Sequence, residues 1–320
     1  MPSKEIQWFP GHMAKTRRIM AECLPLVDAV IEILDARIPR SSQNPEIDRI
    51  CAGKPRLILL SKATLANPAV TSEWKAYFLK NQKGCLVTDF ITGAGLREVV
   101  PELEKLCAAT RERYEKKGMT GKALRAMVVG IPNVGKSSFI NKITGAKKAK
   151  VEDRPGVTLE KQWVKTPYRL ELLDMPGVLW PKFDDRTVAE NLALTGAIKD
   201  QILNVEDLAA ALCSRLAAVE PAAFFARYSL SDELRDACRG YELLEAVGRR
   251  RGYLLKGGEV DTERTARMLL DELRSGRIGR ISLERPKRAA KPDGPTAGAS
   301  ITSPEAGLPV PDAEKDESED

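Results

Sequence analysis

Gly130-Ile131-Pro132-Asn133-Val134-Gly135-Lys136-Ser137 is a complete G-x-x-x-x-G-K-[ST] phosphate loop, set between the apolar run Met127-Val128-Val129 and the helical pattern Ser138-Phe139-Ile140-Asn141-Lys142-Ile143. A buried strand entering and a helix leaving is the context such a loop requires. Its glycines let the backbone approach a polyphosphate, and the first amides of the helix aim their N–H groups and the positive dipole end at it. The expected phosphate-binding residues are Asn133, Val134, Gly135, Lys136, Ser137 and Ser138, with Lys136 reaching the β- and γ-phosphates. Ser137 is expected to offer its hydroxyl to Mg²⁺, an ion that keeps most of its shell as water and phosphate oxygen.

Two further elements follow. Asp174-Met175-Pro176-Gly177 closes a strand-like run that begins at Tyr168, and Pro155-Gly156-Val157-Thr158 lies between it and the phosphate loop. Asp174, thirty-eight residues after Lys136, is placed to hold Mg²⁺, and the Gly177 amide to face a γ-phosphate. Thr158 is expected to add a hydroxyl to the same ion and to sense that phosphate.

Before the loop the chain alternates strand and helix. Val27 to Leu34, Arg56 to Leu60 and Cys85 to Thr88 read as strands, Ser72 to Asn81 as a helix, and a second helix runs on from Leu96 to about Arg113. Such alternation predicts an α/β fold with a mostly parallel sheet and helices on both faces. After residue 198 it stops. Val205 to Val219, Asp232 to Val247 and Thr262 to Ser275 are helical in pattern, which predicts a small all-α domain. The expected divisions are an N-terminal arm and basic helix over 1–25, the α/β domain over 26–197, the helical domain over 198–285 and a disordered acidic tail over 286–320.

The chain has 320 residues, 43% of them hydrophobic and 30% charged, with no apolar stretch of membrane-spanning length. The start, Met1-Pro2-Ser3-Lys4-Glu5, has no secretory h-region, so a cytoplasmic protein is expected. Its six cysteines lie far apart and read as buried small hydrophobes. The net charge is +6, but residues 292–320 hold eight acids against Lys315, which leaves +13 on the rest. A basic body favours a polyanionic partner, although charge alone does not separate this from a solubilising surface.

The phosphate loop, P-G-V-T and D-x-P-G resemble the first three nucleotide-binding elements of translation-factor-type GTPases. The base-reading elements that normally follow here come first, as Ser61-Lys62-Ala63-Thr64 and the Thr88 to Gly95 segment. With Trp8-Phe9-Pro10-Gly11-His12, Asp35-Ala36-Arg37-Ile38-Pro39 and Gly257-Gly258-Glu259-Val260-Asp261, this order resembles the circularly permuted YlqF/RbgA family of ribosome-assembly GTPases. The resemblance implies GTP as substrate, Mg²⁺, action on the large (50S) ribosomal subunit with hydrolysis stimulated there, and contact with rRNA. A monomer is expected, with no membrane and no DNA partner. It also implies that His12 positions the attacking water, since Val178 and Leu179 stand where Ras-like enzymes carry glutamine. An asparagine matching Asn133 coordinates K⁺ in related loops.

The departure lies at the base. The family pattern Asn-Lys-x-Asp is here Ser61-Lys62-Ala63-Thr64, so Ser61, Lys62 and Thr64 are the expected base-binding residues. An aspartate accepts from the guanine N1–H and 2-amino groups; exchanging it for a threonine hydroxyl should cost on the order of 1.5–3 kcal/mol, roughly ten- to a hundredfold in affinity. Two other readings therefore stay open: a ribosome-binding scaffold with a degenerate nucleotide site, and a P-loop NTPase of relaxed base choice. Arg249, Arg250, Arg251, Arg264, Arg267 and Arg274 concentrate in the helical domain and are the expected RNA contacts.

Overall fold

The computed structural model describes residues 10–81, 83–145, 162–180, 185–198, 200 and 204–286, with side chains from residue 17 onward except that of residue 236. The N-terminal aromatics Trp8 and Phe9, the Pro155 to Thr158 element and the acidic tail from 287 lie outside the described residues, as does the His12 side chain.

The basic segment forms α1 (Pro10–Cys23), whose Met20 and Cys23 enter an apolar cluster with Val27, Val30 and Met127. Next comes β1 (Ala29–Asp35), buried along its whole length. Two short proline-initiated helices, α2 (Pro39–Ser42) and α3 (Pro45–Ile50), lead to β2 (Arg56–Ser61), again wholly buried. Burial on both faces is what a central parallel strand needs. Asn67 then caps α4 (Pro68–Lys80) by accepting from the amides of Ala69 and Val70, and β3 (Gly84–Val87) follows.

The helix expected to run to Arg113 is two, α5 (Val99–Leu106) and α6 (Ala108–Lys116), because Cys107 leaves the helical backbone at φ −100°, ψ 17°. The phosphate-loop strand is β4 (Leu124–Val129), and α7 (Lys136–Thr144) leaves the loop. A hairpin of β5 (Gln162–Lys165) and β6 (Leu170–Asp174) completes one sheet in the order β3-β2-β1-β4-β6-β5, parallel except for β5. Leu34 lies beside Leu60, and Val128 beside Asp174. That register brings the carboxyl ends of β1, β2, β3, β4 and β6 to one edge. There the chain also turns opposite ways from β1 and β4, the switch point where open α/β sheets bind ligands.

The remainder is helical: α8 (Arg186–Leu194), α9 (Val205–Val219), α10 (Pro221–Tyr228), α11 (Glu233–Ala237), α12 (Tyr241–Arg251) and α13 (Thr262–Ser275). The single helix expected over 232–247 is α11 and part of α12, parted where Cys238 turns extended and Gly240 sits at φ 49°, ψ −113°. One apolar cluster runs from Ile33 and Phe139 through Leu192 to Leu212, Leu244 and Leu269, so the change at residue 198 is one of secondary structure and not of packing. Each fully buried Leu or Ile in it contributes about 1.5–3 kcal/mol. Beyond α13 the chain returns to the sheet as a strap. The Ile281 amide donates to the Leu65 carbonyl and the Leu283 amide to that of Arg37. The Arg280 guanidinium donates to the carbonyls of Ala63 and Ala66, and Glu284 accepts from the amide and hydroxyl of Ser41.

Candidate active site

The phosphate loop turns on two left-handed residues, Asn133 (φ 57°) and Gly135 (φ 104°). A Cβ at Gly135 would lie 2.9 Å from the Phe90 ring, so only glycine lets the loop after β3 close against the phosphate loop. Lys136, 7% exposed, donates from Nζ to the carbonyls of Gly130 (3.1 Å) and Ile131 (2.9 Å). Ser137 and Ser138 are half-buried at the start of α7, and Val134 is buried in the core.

Across from them, Asp174 ends β6 at 3% exposure, and its Oδ1 is buried with no hydrogen-bond partner among the described residues. Burial lifts its carboxyl to about 6 while the Lys136 charge pulls it down; burial lowers Lys136 to about 8 while Asp174 opposes. Neither charge is fully compensated. Gly177 completes the cradle: a Cβ there would meet Lys136 Nζ at 2.8 Å and the Pro132 backbone at 3.0 Å. An orphaned carboxylate, a desolvated ammonium and a glycine-lined approach fit a magnesium polyphosphate.

The structure brings Asn133, Val134, Gly135, Lys136, Ser137, Ser138, Asp174 and Gly177 to the same edge of the sheet. The Asn133 side chain donates from Nδ2 to the Gly196 carbonyl at 2.8 Å, which ties the loop to the segment after α8. Thr158 lies outside the described residues. His12 falls in α1, whose side chains are described only from Arg17.

At the base-reading corner the expected set divides. Ser61 is fully buried, and its hydroxyl bonds the carbonyls of Val134 (2.8 Å) and Leu34 (3.0 Å). It is a strut between β1, β2 and the phosphate loop, so its expected contact with a base is corrected: no face of it is left for a ligand. Lys62, held left-handed at φ 55°, pairs with the Asp35 carboxylate at 3.2 Å. That carboxylate also receives the Arg37 guanidinium at 2.7 and 2.9 Å, and the two cations hold it well below the usual range. Thr64 is exposed, and its hydroxyl donates to Asp89 Oδ2 at 2.5 Å. Sequence reasoning passed over Asp89; the signal was present as an acid directly after the third strand, inside the Thr88 to Gly95 segment.

The arginines divide as well. Arg249, Arg250, Arg264 and Arg267 are exposed, Arg264 stacking over Tyr253 and Arg267 pairing with Glu263. Arg251 lies over the Tyr228 ring and beside Glu272, a buried acid gripped at 2.8 and 2.9 Å by Arg227. Arg274 turns inward to Asp200 (2.7 Å) and the carbonyls of Ala193 and Leu194. It clamps α13 onto the end of α8 and onto Asp200 beyond it.

A family profile described as 50S ribosome-binding GTPase matches residues 125–233. Proteins called ribosome biogenesis GTPase A are similar over nearly their whole length. That of Priestia megaterium is 46% identical, covering 90% of this chain and 99% of the relative, and that of Thermotoga maritima 30% identical, covering 88% and 95%. The chain belongs to the ribosome biogenesis GTPase A (YlqF/RbgA) family. YlqF of Thermotoga maritima, solved with GNP bound, superposes with a TM-score of 0.59 at 26% identity, covering 86% of this chain and all of that one. Its GDP-bound structure gives 0.58 at 27% identity. Membership makes the chain a GTPase, and the order seen here is the permuted one: the phosphate loop follows the fourth strand, and the two segments expected to read the base follow the second and third. No helix among the described residues is long and apolar enough to cross a membrane.

Proposed function

We propose that this chain binds Mg²⁺·GTP at the carboxyl edge of its sheet, docks on an immature large (50S) ribosomal subunit and hydrolyses GTP there, in the cytoplasm and as a monomer. Family membership supports the reaction and the partner. The buried, unpartnered Asp174 oxygen beside Lys136 carries the reading of the site, because both charges gain by receiving a magnesium polyphosphate. Ser137, Thr158 and Asp174 would hold the metal, and Lys136, Gly177 and the amides from Asn133 to Ser138 the phosphates. Bound there, Mg²⁺ supplies charge neutralisation at the phosphate oxygens.

Val178 and Leu179 are buried apolar groups that cannot orient water, so a residue from elsewhere in the chain or from the subunit must do so. His12, on α1, is the residue we assign, because an imidazole can orient or deprotonate water. K⁺ near the phosphates belongs to the same proposal through Asn133. Arg249, Arg250, Arg264 and Arg267 present cations to solvent and suit the rRNA backbone, with no DNA partner expected.

Steady-state GTP and ATP hydrolysis with and without purified large subunits, in K⁺ and in Na⁺, tests this reading. Strong stimulation of GTP turnover by subunits, larger in K⁺, is the expected result. An unstimulated rate with weak binding of both nucleotides would replace it with a scaffold whose site no longer turns over.

A further inference from the structure

Thr64 is the residue standing where a base-reading carboxylate would be, and a hydroxyl alone reads poorly. It is both donor and acceptor, so it turns to suit whatever lies opposite. Guanine presents donors on the edge in question, N1–H and the 2-amino group. Adenine presents an acceptor and a C–H there. Discrimination therefore needs a group that only accepts.

The structure removes that ambiguity. The Thr64 proton is committed to Asp89 Oδ2 at 2.5 Å, which leaves the hydroxyl lone pairs for any outside partner. Asp89 is 2% exposed and cannot turn away, because its Oδ1 accepts from the amides of Ile91 (3.0 Å) and Thr92 (3.0 Å) and from the Thr92 hydroxyl (3.2 Å). Its own backbone closes the turn through the Asp89 amide to the Ala94 carbonyl and the Gly93 amide to the Asp89 carbonyl. The two loops are also tied by the Ala63 amide, which donates to the Thr88 carbonyl at 3.3 Å. Those amide and hydroxyl donors keep the carboxyl below its ordinary range, hence ionised at neutral pH.

We propose that Thr64 and Asp89 together replace the missing base-reading carboxylate: Asp89 is a positioning residue that fixes the Thr64 hydroxyl as an acceptor and lends it negative charge, so that the pair selects guanine. The proposal rests on the reading that the loop after β2 faces the base. Charge-assisted hydrogen bonds are shorter and stronger than neutral ones, which is how one hydroxyl backed by a carboxylate recovers part of what a direct carboxylate provides. The pair was hidden from sequence comparison of position 64 alone, because its charge comes from the loop after β3.

Substitution at Asp89 inverts the device without removing its scaffold. In Asp89→Asn the side-chain oxygen still accepts from Ile91 and Thr92, but the new NH₂ donates to Thr64, whose own proton then swings outward. The reader becomes a donor, which suits the 2-oxo group of xanthine and not the 2-amino group of guanine. The test is displacement of a fluorescent GDP analogue by GDP, ADP and XDP, on the full chain and on Asp89→Asn, Thr64→Val and Thr64→Ser, with thermal unfolding as the control for folding.

Asp89→Asn is expected to lower the preference for GDP over ADP about tenfold and to raise affinity for XDP. Thr64→Val should lose the GDP preference by a similar factor, and Thr64→Ser should keep it. If Thr64→Val loses selectivity while Asp89→Asn leaves the GDP:ADP and GDP:XDP ratios unchanged, the pairing is wrong but the placement of the base stands. If neither position affects any nucleotide while Lys136→Ala abolishes binding, the base lies elsewhere and both readings fall. Should Asp89→Asn not fold, equal selectivity of the Thr64 valine and serine variants is sufficient to overturn the proposal.

Discussion

Among the described residues Lys136 hydrogen-bonds only carbonyls of its own loop, and burial draws it down to about 8 against the opposing charge of Asp174. Those bonds hold the ammonium in place without neutralising it, and the single Asp174 carboxylate beside it leaves room for a stronger anionic partner. A polyphosphate is such a partner, and each charge-assisted contact it makes is worth about 1.5–3 kcal/mol. Lys136→Ala is therefore expected to weaken GDP binding by about a hundredfold or more while leaving the unfolding temperature nearly unchanged. Titration of a fluorescent GDP analogue checks this, and an affinity within threefold of the parent would place the phosphates somewhere else.

At the scale of one element, β1 carries an acid between two isoleucines in its buried run. Glu32 is fully buried between Ile31 and Ile33, faces Arg56 at 3.1 Å, and leaves its Oε1 without a hydrogen-bond partner among the described residues. Arg56 is shared with Asp48, so it compensates Glu32 incompletely, and burial raises the Glu32 carboxyl to about 7. Between its ordinary 4.5 and 7 the folded chain keeps a proton that the unfolded chain has released. Stability from this group is thus complete below 4.5 and is lost as pH rises towards 7. Glu32→Gln should flatten that slope, seen as a smaller difference in urea midpoint between about pH 5 and about pH 7.5 than in the parent chain. An unchanged slope would mean that other groups set it.

At the scale of the molecule, the helical segment is joined to the nucleotide site at more than one place. It leaves the sheet shortly after Gly177, is gripped at Gly196 by Asn133 of the phosphate loop, and returns as the strap whose Arg280 and Ile281 bond the loop carrying Thr64. Arg274 adds a clamp between α13 and the carbonyls of Ala193 and Leu194. A change in the phosphate loop or the loop carrying Thr64 therefore has direct contacts through which to move α13, the helix bearing Arg264 and Arg267. Hydrogen exchange should show this: addition of GDP should slow exchange at the amides of Ile281 and Leu283, 10–20 residues beyond those arginines in sequence. Protection confined to the phosphate loop would show the strap to be a passive tether.

The phosphate loop, its strand and helix, the Asp174 element, the permuted order and the bounds of α9 and α13 were determined by the sequence itself. Each is written in a local pattern: glycine spacing, an apolar run, a helical period, and Asn204 or Asp261 placed as a cap. Other features depend on residues far apart in the chain, and only strand register and loop packing decide them. Register turns Ser61 inward as a strut to Val134, although position 61 alone reads as base-binding. Loop packing sets Asp89 against Thr64 across 25 residues. The same holds for Arg274, which as part of a charge run looks solvent-facing until Asp200 is seen beside it, and for the strap, whose bonds to Leu65 and Arg37 span the whole fold. A charge or a hydroxyl has no direction in one dimension; the partner that fixes its proton or compensates its charge is supplied by the tertiary structure.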